Sequence, residues 1–483
     1  MRMQTMPAEA LGGSASTAGR RRSVPAVPIV SLAPIRASAP VLPWQPGWAT
    51  ALGPLLGSAL APEPDPSAGH YLVALDGLAG RPDEAVSLAL KLPFCATRCW
   101  CCEREVAIAQ PAAAIDDYLD GLIDEIGLVA ARIGSRRDVL QLQLGGGSAT
   151  ELGSSQLVRL MAALQAAFRL PADAEMSADC DPRRVHRGQL ELLRALGFRQ
   201  IALGVLDLDA DVQRAIGRGH SVALIDDVCE QARASGIECI DLRLMLGLPQ
   251  QTETRWRTTL ARVLALAPDR VSLAHYRHQP WCAPAQYAID AGALPDGEQC
   301  SALAALTADL LREAGYRWIG ADRFVLESDP LWRALEQGRL RCSLISHTAT
   351  PPTATIGLGV GAVGEIDGSV FWNESASPRW REALRAGRLP VAQAQRASLR
   401  ETQRRRAVEH LLCGLELPAS LLQGGLEAAY GRLARHEAAG LVRRLEDRLV
   451  VTDSGRHALA MLCSELHEPD EVDGADSHDG LRP

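Results

Sequence analysis

The chain has 483 residues, 47% of them apolar and 22% charged, which is enough for two or three domains with large buried cores. Its formal net charge of −8 gives no general electrostatic reason to bind nucleic acid. No window of about eighteen uninterrupted apolar residues offers a membrane span.

The first 45 residues are rich in Ala, Pro, Ser and Arg, and prolines such as Pro25 and Pro28 interrupt any helical run after Arg20-Arg21-Arg22. We read a disordered extension rather than a signal peptide. With twelve cysteines and no export signal, the expected location is cytoplasmic. Residues 46–85 lead in to a regular region. There Val86–Leu92, Val139–Leu144, Ala174–Cys180, Gln200–Val205, Cys239–Leu246 and Arg270–His275 read as strands. Helical patterns fall between them at Ile115–Ile133, Ser155–Phe168, Arg187–Leu196, Val222–Ser235 and Glu253–Leu266. Strand–helix alternation with short connections predicts an α/β fold with a parallel sheet over residues 86–290. Residues 291–400 are less regular, with a helix at Glu298–Ala314 and a loop-rich stretch ending in the glycine run Gly357–Gly364. From about 401 to 465, helices followed by a hairpin at Leu441–Thr452 suggest a winged-helix-like domain in a lid or packing role. Residues 466–483 form an acidic tail, expected to be solvated.

Cys95-Ala96-Thr97-Arg98-Cys99-Trp100-Cys101-Cys102 concentrates four cysteines in eight residues. The C-x3-C-x2-C spacing of Cys95, Cys99 and Cys102 suits three thiolates around one 4Fe–4S cube, leaving the fourth iron open to an outside ligand. A zinc site would want a fourth ligand, which two adjacent cysteines supply poorly. Structural thiols are the other alternative. The motif follows the first strand, which places it on the catalytic face if that strand belongs to a β/α barrel.

The motif resembles that of the radical S-adenosylmethionine (SAM) superfamily. The chain as a whole resembles the oxygen-independent coproporphyrinogen III oxidases from about residue 80 to residue 465. Leu92-Pro93-Phe94-Cys95, Gly145-Gly146-Gly147-Ser148-Ala149-Thr150, Asp179-Cys180-Asp181-Pro182, Leu203-Gly204-Val205, Gly247-Leu248-Pro249, Pro268-Asp269-Arg270 and Gly357-x-Gly359-Val360-x-Ala362 follow the family's order. The resemblance implies a partial (β/α)6 barrel with the helical, winged-helix-like C-terminal domain, a cluster on Cys95, Cys99 and Cys102, and SAM at Gly146, Gly147, Ser148, Asp179, Arg218 and Val363. Gly146 and Gly147 would let the SAM aminocarboxylate approach the backbone, Asp179 would accept from its amino group, and Arg218 matches an arginine near a second SAM. It also implies reductive cleavage of SAM to a 5′-deoxyadenosyl radical and oxidative decarboxylation of coproporphyrinogen III to protoporphyrinogen IX in heme biosynthesis. The implied partners are a tetrapyrrole substrate and a low-potential electron donor of the flavodoxin or ferredoxin type.

Several positions depart from the family. Its Tyr-x-His is Ala89-x-Lys91 here, its cysteine two places after the third ligand is Arg104, and the aromatic before that ligand is Cys101. At the second SAM site the family's Gln is Leu206 and its Asp is Arg243, with Asp241 two residues earlier on the same strand face. Near the substrate, Asp322-Arg323-Phe324 replaces Asp-His-Phe. A divergent oxidase, a paralogue with another radical-SAM reaction or a heme-trafficking role, and a non-catalytic tetrapyrrole-binding protein all remain open. Heme handling would draw on His275, His278 or His347, each of which is also readable as an ordinary structural histidine.

Overall fold

The computed structural model describes residues 67–466 apart from residues 135, 397 and 423–426. The expected N-terminal extension, most of the lead-in and all but the first residue of the acidic tail lie outside the described residues.

Six parallel strands form the centre: β1 (Val86–Leu92), β2 (Val139–Gly146), β3 (Glu175–Cys180), β4 (Gln200–Leu206), β5 (Cys239–Leu246) and β6 (Arg270–His275). They pair in chain order. Alternation along β1 sends Val86, Leu88, Leu90 and Leu92 to the outer core, and Ser87, Ala89 and Lys91 occupy the alternate positions. On β2, Leu142 and Leu144 join the same core, while Gln141 and Gln143 line internal cavities. The sheet therefore carries an apolar outer face and a polar inner one.

Helices α1 (Ser67–Ala79), α2 (Ala112–Ile133), α3 (Ser154–Ala167), α4 (Arg187–Ala195), α5 (Ala210–Ala215), α6 (Val222–Ala234), α7 (Glu253–Ala265) and α8 (Gly297–Glu313) accompany the sheet. Helix α2 buries Ile115, Leu119, Leu122, Ile126, Val129 and Ile133 at helical spacing. Most starts are capped by side chains: His186, Asp209, Ser221 and Thr252 accept from the first turns of α4 to α7, and Asp296 with Gln299 forms a capping box on α8.

The sheet does not end with six strands. On one side β7 (Tyr316–Ile319) and β8 (Arg323–Leu326) follow β6 in the order β6-β8-β7. On the other, β9 (Ala354–Leu358) pairs parallel with β1, followed by antiparallel β10 (Val363–Ile366), β11 (Ser369–Asn373) and β12 (Val391–Gln395). The whole is a twelve-stranded sheet with β12 and β7 at its edges, so the barrel is partial, as expected. The seventh parallel strand lies where the glycine run had read as loop. Gly357 sits in β9 because a Cβ there would stand 2.4 Å from the Val363 carbonyl oxygen of β10.

A hairpin built on Arg341–Cys342 and His347–Thr348 lies against the polar inner face. Ser343 Oγ donates to Gln141 Oε1 at 3.1 Å and Thr348 Oγ1 donates to Glu175 Oε2 at 3.1 Å. The C-terminal part has helices α9 (Pro330–Glu336), α10 (Ser377–Arg385), α11 (Leu399–Gly414), α12 (Glu427–Ala434), α13 (Asp453–Arg456) and α14 (Leu459–Ser464). It also has a small sheet of β13 (Glu416–Pro418), β14 (Val442–Arg444) and β15 (Arg448–Val451), in which β14 and β15 form the expected hairpin. A second core joins Leu411, Leu417, Leu449 and Leu462 to Leu331 of α9 and to Ile319 and Val325, so this region packs on the β7–β8 edge. No helix among the described residues is long and apolar enough to cross a membrane.

Candidate active site

All six parallel strands deliver their C-terminal ends to one face, where β/α folds carry chemistry on the connecting loops. The loop leaving β1 is stapled at its base. Ala107 N donates to Pro93 O at 2.6 Å and Ala109 N to Cys95 O at 2.9 Å. Its tip is held by Trp100 N donating to Ile216 O at 2.9 Å, with Cys102 N donating to Cys99 O at 3.2 Å in a tight turn. Cys95 and Cys102 are half-buried, and Cys99 and Cys101 are buried. Burial, with Cys102, Asp181 and Cys99 nearby, pushes the Cys95 thiol up to about 11. Burial pushes Cys101 up to about 12. Cys99 and Cys101 both pack in an apolar cluster with Val212, Ile216, Leu248, Tyr276 and Ile289.

Two guanidinium groups face Cys99. Arg218 Nη1 donates to Cys99 Sγ at 3.1 Å, and Arg183 Nη2 lies 3.9 Å from it. Asp181 orients both: Arg183 Nη2 meets Asp181 Oδ2 at 2.6 Å and Arg218 Nη2 meets Asp181 Oδ1 at 3.3 Å. Arg218 Nη2 also donates to the Gly204 carbonyl, whereas its buried Nε has no partner among the described residues. Such donors stabilise a thiolate and tune whatever the sulfur binds. Arg218 thus stands beside a cysteine rather than among the residues lining the main cavity. Arg183 was not singled out from sequence; its role depends on a contact 84 positions away in the chain.

The turn after β2 packs beneath the cysteine loop. A Cβ on Gly147 would meet Phe94 O at 2.3 Å and Leu92 O at 2.6 Å, so the loop backbone itself requires glycine there. Gly146 has φ +92° and reaches the cavity. Ser148 is buried, its hydroxyl within 2.6 Å of Thr150 Oγ1 and accepting from Asp181 N at 2.9 Å. That side chain ties the turn to β3. Val363 opens β10 and does not line the main cavity.

The main cavity, about 500 Å³, is lined by Lys91, Glu103, Arg104, Glu105, Gln143, Gly146, Asp179, Arg243 and Ile345. Arg243 Nη1 donates to Asp179 Oδ2 at 2.8 Å, and Arg104 Nη1 lies 3.7 Å from the same oxygen. The reach from β5 to β3 crosses β4 at Ala202 and Gly204, which stand in register with Asp241 and Arg243 and are small enough to leave room. Asp241 accepts from Ser272 Oγ at 2.9 Å and acts electrostatically on Arg243 from the adjoining cavity. Leu206, at φ +67° beyond a register shift in β4, packs with Met245 and Cys102 against the apolar cluster around Cys101. A second, polar cavity of about 530 Å³ is lined by Gln141, Glu175, Asp241, Arg270 and His347, and shares Ile345 and Arg243 with the first.

Of the three histidines, His278 Nδ1 pairs with Tyr276 OH at 2.8 Å. Burial pushes His275 down to about 4 and His347 down to about 3, keeping both neutral near pH 7. Among the described residues, no three His, Cys, Asp or Glu side chains converge as ligands of one metal ion. In a cube each thiolate holds its own iron, so the sulfurs need not meet at a point. Three thiols on one loop, the orphaned Arg218 Nε and the glycine turn at the cavity fit such a cluster with an adjacent small ligand.

A model of the Radical SAM superfamily matches residues 90–263. The partial parallel barrel with its cysteine loop at the C-terminal mouth belongs to that class of enzyme. Oxygen-independent coproporphyrinogen III oxidase of Bradyrhizobium diazoefficiens is 33% identical over 409 residues, covering 81% of this chain and 90% of the relative. The oxidase of Pseudomonas aeruginosa is 32% identical over 399 residues, covering 80% and 85%. The solved structure of coproporphyrinogen III oxidase from Escherichia coli, a radical SAM enzyme, matches with a TM-score of 0.78 at 29% identity, covering 85% of this chain and 97% of that one. The chain therefore belongs to the oxygen-independent coproporphyrinogen III oxidase family. It is a radical SAM oxidoreductase, and the cofactors of its class are a 4Fe–4S cluster and SAM.

Proposed function

We propose that this protein catalyses the oxidative decarboxylation of coproporphyrinogen III to protoporphyrinogen IX in heme biosynthesis. The observation that carries the reading is the single mouth at which the cysteine loop, the Gly146 turn and Asp179 meet, on a fold matching the Escherichia coli oxidase over 97% of that chain. In this reading Cys95, Cys99 and Cys102 hold the cluster, while the Gly146–Gly147 backbone and Asp179 receive the aminocarboxylate of SAM. When bound, cluster and SAM together supply a 5′-deoxyadenosyl radical able to abstract hydrogen from a propionate side chain. The chain's own groups bind and orient. Arg218 and Arg183 stabilise the Cys99 thiolate through N–H donors at 3.1 and 3.9 Å. Leu206, Met245, Leu248, Tyr276 and Ile289 form an apolar wall that keeps water from the cysteine loop.

We further infer a cytoplasmic location, since all twelve cysteines are unpaired, as a reducing compartment keeps them. The electron would come from a low-potential protein donor of the flavodoxin or ferredoxin type. The test is anaerobic reconstitution of the cluster, followed by SAM, a low-potential reductant and coproporphyrinogen III. The proposal expects 5′-deoxyadenosine together with decarboxylated porphyrinogen. Deoxyadenosine without decarboxylation would reassign the substrate. A well-formed cluster that never cleaves SAM would favour a binding role.

A further inference from the structure

Arg243 is the residue by which this cavity departs most in charge from its family, in which an aspartate is expected at that position. It projects from β5 across the small residues Ala202 and Gly204 of β4, and Nη1 bonds Asp179 at 2.8 Å. No other atom of its guanidinium has a hydrogen-bond partner among the described residues, and the side chain keeps 29% of its surface exposed along the cavity. Two further cations line the same space. Arg104 shares Asp179 at 3.7 Å, and Lys91 Nζ donates to the Gly361 carbonyl at 3.1 Å, its one hydrogen bond among the described residues. Among the lining carboxylates, Glu103 is drawn off by Arg277 at 2.8 Å. Three cations, Lys91, Arg104 and Arg243, share this wall with Asp179 and Glu105, Asp241 and Asp322 act on Arg243 from behind it, and the guanidinium still keeps N–H donors without a hydrogen-bond partner among the described residues.

Those unpartnered donors select between possible occupants. SAM carries a sulfonium, and a guanidinium in place of a carboxylate repels it at short range. The neighbouring Leu206 offers no amide and packs into the apolar cluster instead. A carboxylate, by contrast, finds a guanidinium with free N–H donors and an ammonium nearby, the arrangement that recognises planar anions best.

We propose that Arg243 makes this wall a carboxylate anchor that seats a propionate of the tetrapyrrole substrate, where relatives with an aspartate would seat a second SAM. The inference rests on the substrate reading of the preceding section. Arg243 fixes the substrate by one propionate, Arg104 and Lys91 reinforce the field, and the chain binds one SAM per cluster.

The test uses the reconstituted full-length protein with two fluorescent probes, coproporphyrin III with free propionates and its tetramethyl ester, titrated by fluorescence quenching. Arg243→Leu should weaken the free acid about 10- to 100-fold, the loss of one charge-assisted contact, and leave the ester unchanged. Arg243→Lys should recover part of that loss. Because Arg243→Leu leaves the buried Asp179 with only the longer Arg104 contact at 3.7 Å, the Arg243→Leu/Asp179→Asn double variant provides a charge-balanced control; it should show the same selective loss. Equilibrium dialysis with labelled SAM should give one SAM per cluster in the wild type. Two SAM per cluster, equal weakening of acid and ester, or no change in acid affinity would each overturn the anchor. Failure of the wild type to bind coproporphyrin III at all would instead sink the substrate reading, and with it the occupant named here.

Discussion

The two walls of the main cavity differ in what holds them in place. On the β1–β2 side, the cysteine loop lies over the glycine turn so closely that a methyl group on Gly147 would overlap two carbonyl oxygens of the loop. On the β4–β5 side, an apolar side chain and an arginine occupy positions where the family pattern has an amide and a carboxylate, and the backbone accepts both. The contrast teaches where the cavity has freedom to change. Backbone packing fixes the glycine turn beneath the cluster, while side chains on the same side, Ala89, Lys91, Cys101 and Arg104, depart from the family pattern as those of the far wall do. On the far wall, Ala202 and Gly204 leave volume into which a new charge can reach. Chemistry can stay while recognition shifts.

The largest expected effect breaks the cysteine wall outright. Cys99→Ala should reconstitute no cluster, whereas Cys101→Ala, at a position outside the C-x3-C-x2-C spacing, should retain iron and sulfide near wild-type levels. Loss of iron in Cys101→Ala would reverse the ligand assignment. Gly147→Ala comes next. With contacts of 2.3 and 2.6 Å to backbone that cannot rotate away, it should cost about 3 kcal/mol and lower both melting temperature and cluster yield. A matching substitution on the far wall, Ala202→Ser, should cost well under that in the same melt.

Glu125 sharpens the picture from behind the cysteine wall. This buried carboxylate on α2 accepts from Gly359 N at 2.9 Å, Asn373 Nδ2 at 2.6 Å and Trp380 Nε1 at 2.9 Å. Burial raises it to about 7 despite those donors. The folded chain then holds a proton that the unfolded chain has released between the ordinary glutamate range and about 7, so stability falls as pH rises through that window and levels off above it. Relative to Glu125→Gln, the wild type should lose up to about 1.4 kcal/mol per pH unit there, read from denaturant titrations. A flat difference would contradict the burial argument. The smallest effect concerns tuning. Arg218→Gln removes a charged donor 3.1 Å from Cys99 Sγ and should lower the cluster potential, shifting the reduced fraction at fixed potential about tenfold, or about 59 mV. An unchanged potential with an intact cluster would make Arg218 a purely structural residue.

Much of the fold was legible because alternation is a local signal. Leu88, Leu90 and Leu92 separated by Ala89 and Lys91 announce β1, and the cysteine spacing lies within eight residues. Strands β9 to β12 were less legible, since Gly357 and Gly364 look like loop until the close approach of two backbones is known. The site divides the same way. Gly146 and Asp179 could be placed at the mouth from motif order, but the Arg243–Asp179 bond spans 64 positions and depends on what β4 leaves empty between them. Asp241, on the same strand face as Arg243, accepts from Ser272 on the next strand and acts on the Arg243 guanidinium. Pairing across strands decides such cases, and one strand read alone does not contain it.

The most direct test of the account is the electron paramagnetic resonance spectrum of the reduced, reconstituted cluster with and without SAM. With three cysteine ligands the protein should hold about four iron and four sulfide, and SAM should change the signal by binding the open iron. The account predicts that change in the wild type and in Cys101→Ala. A fully formed cluster whose spectrum is indifferent to saturating SAM would contradict it.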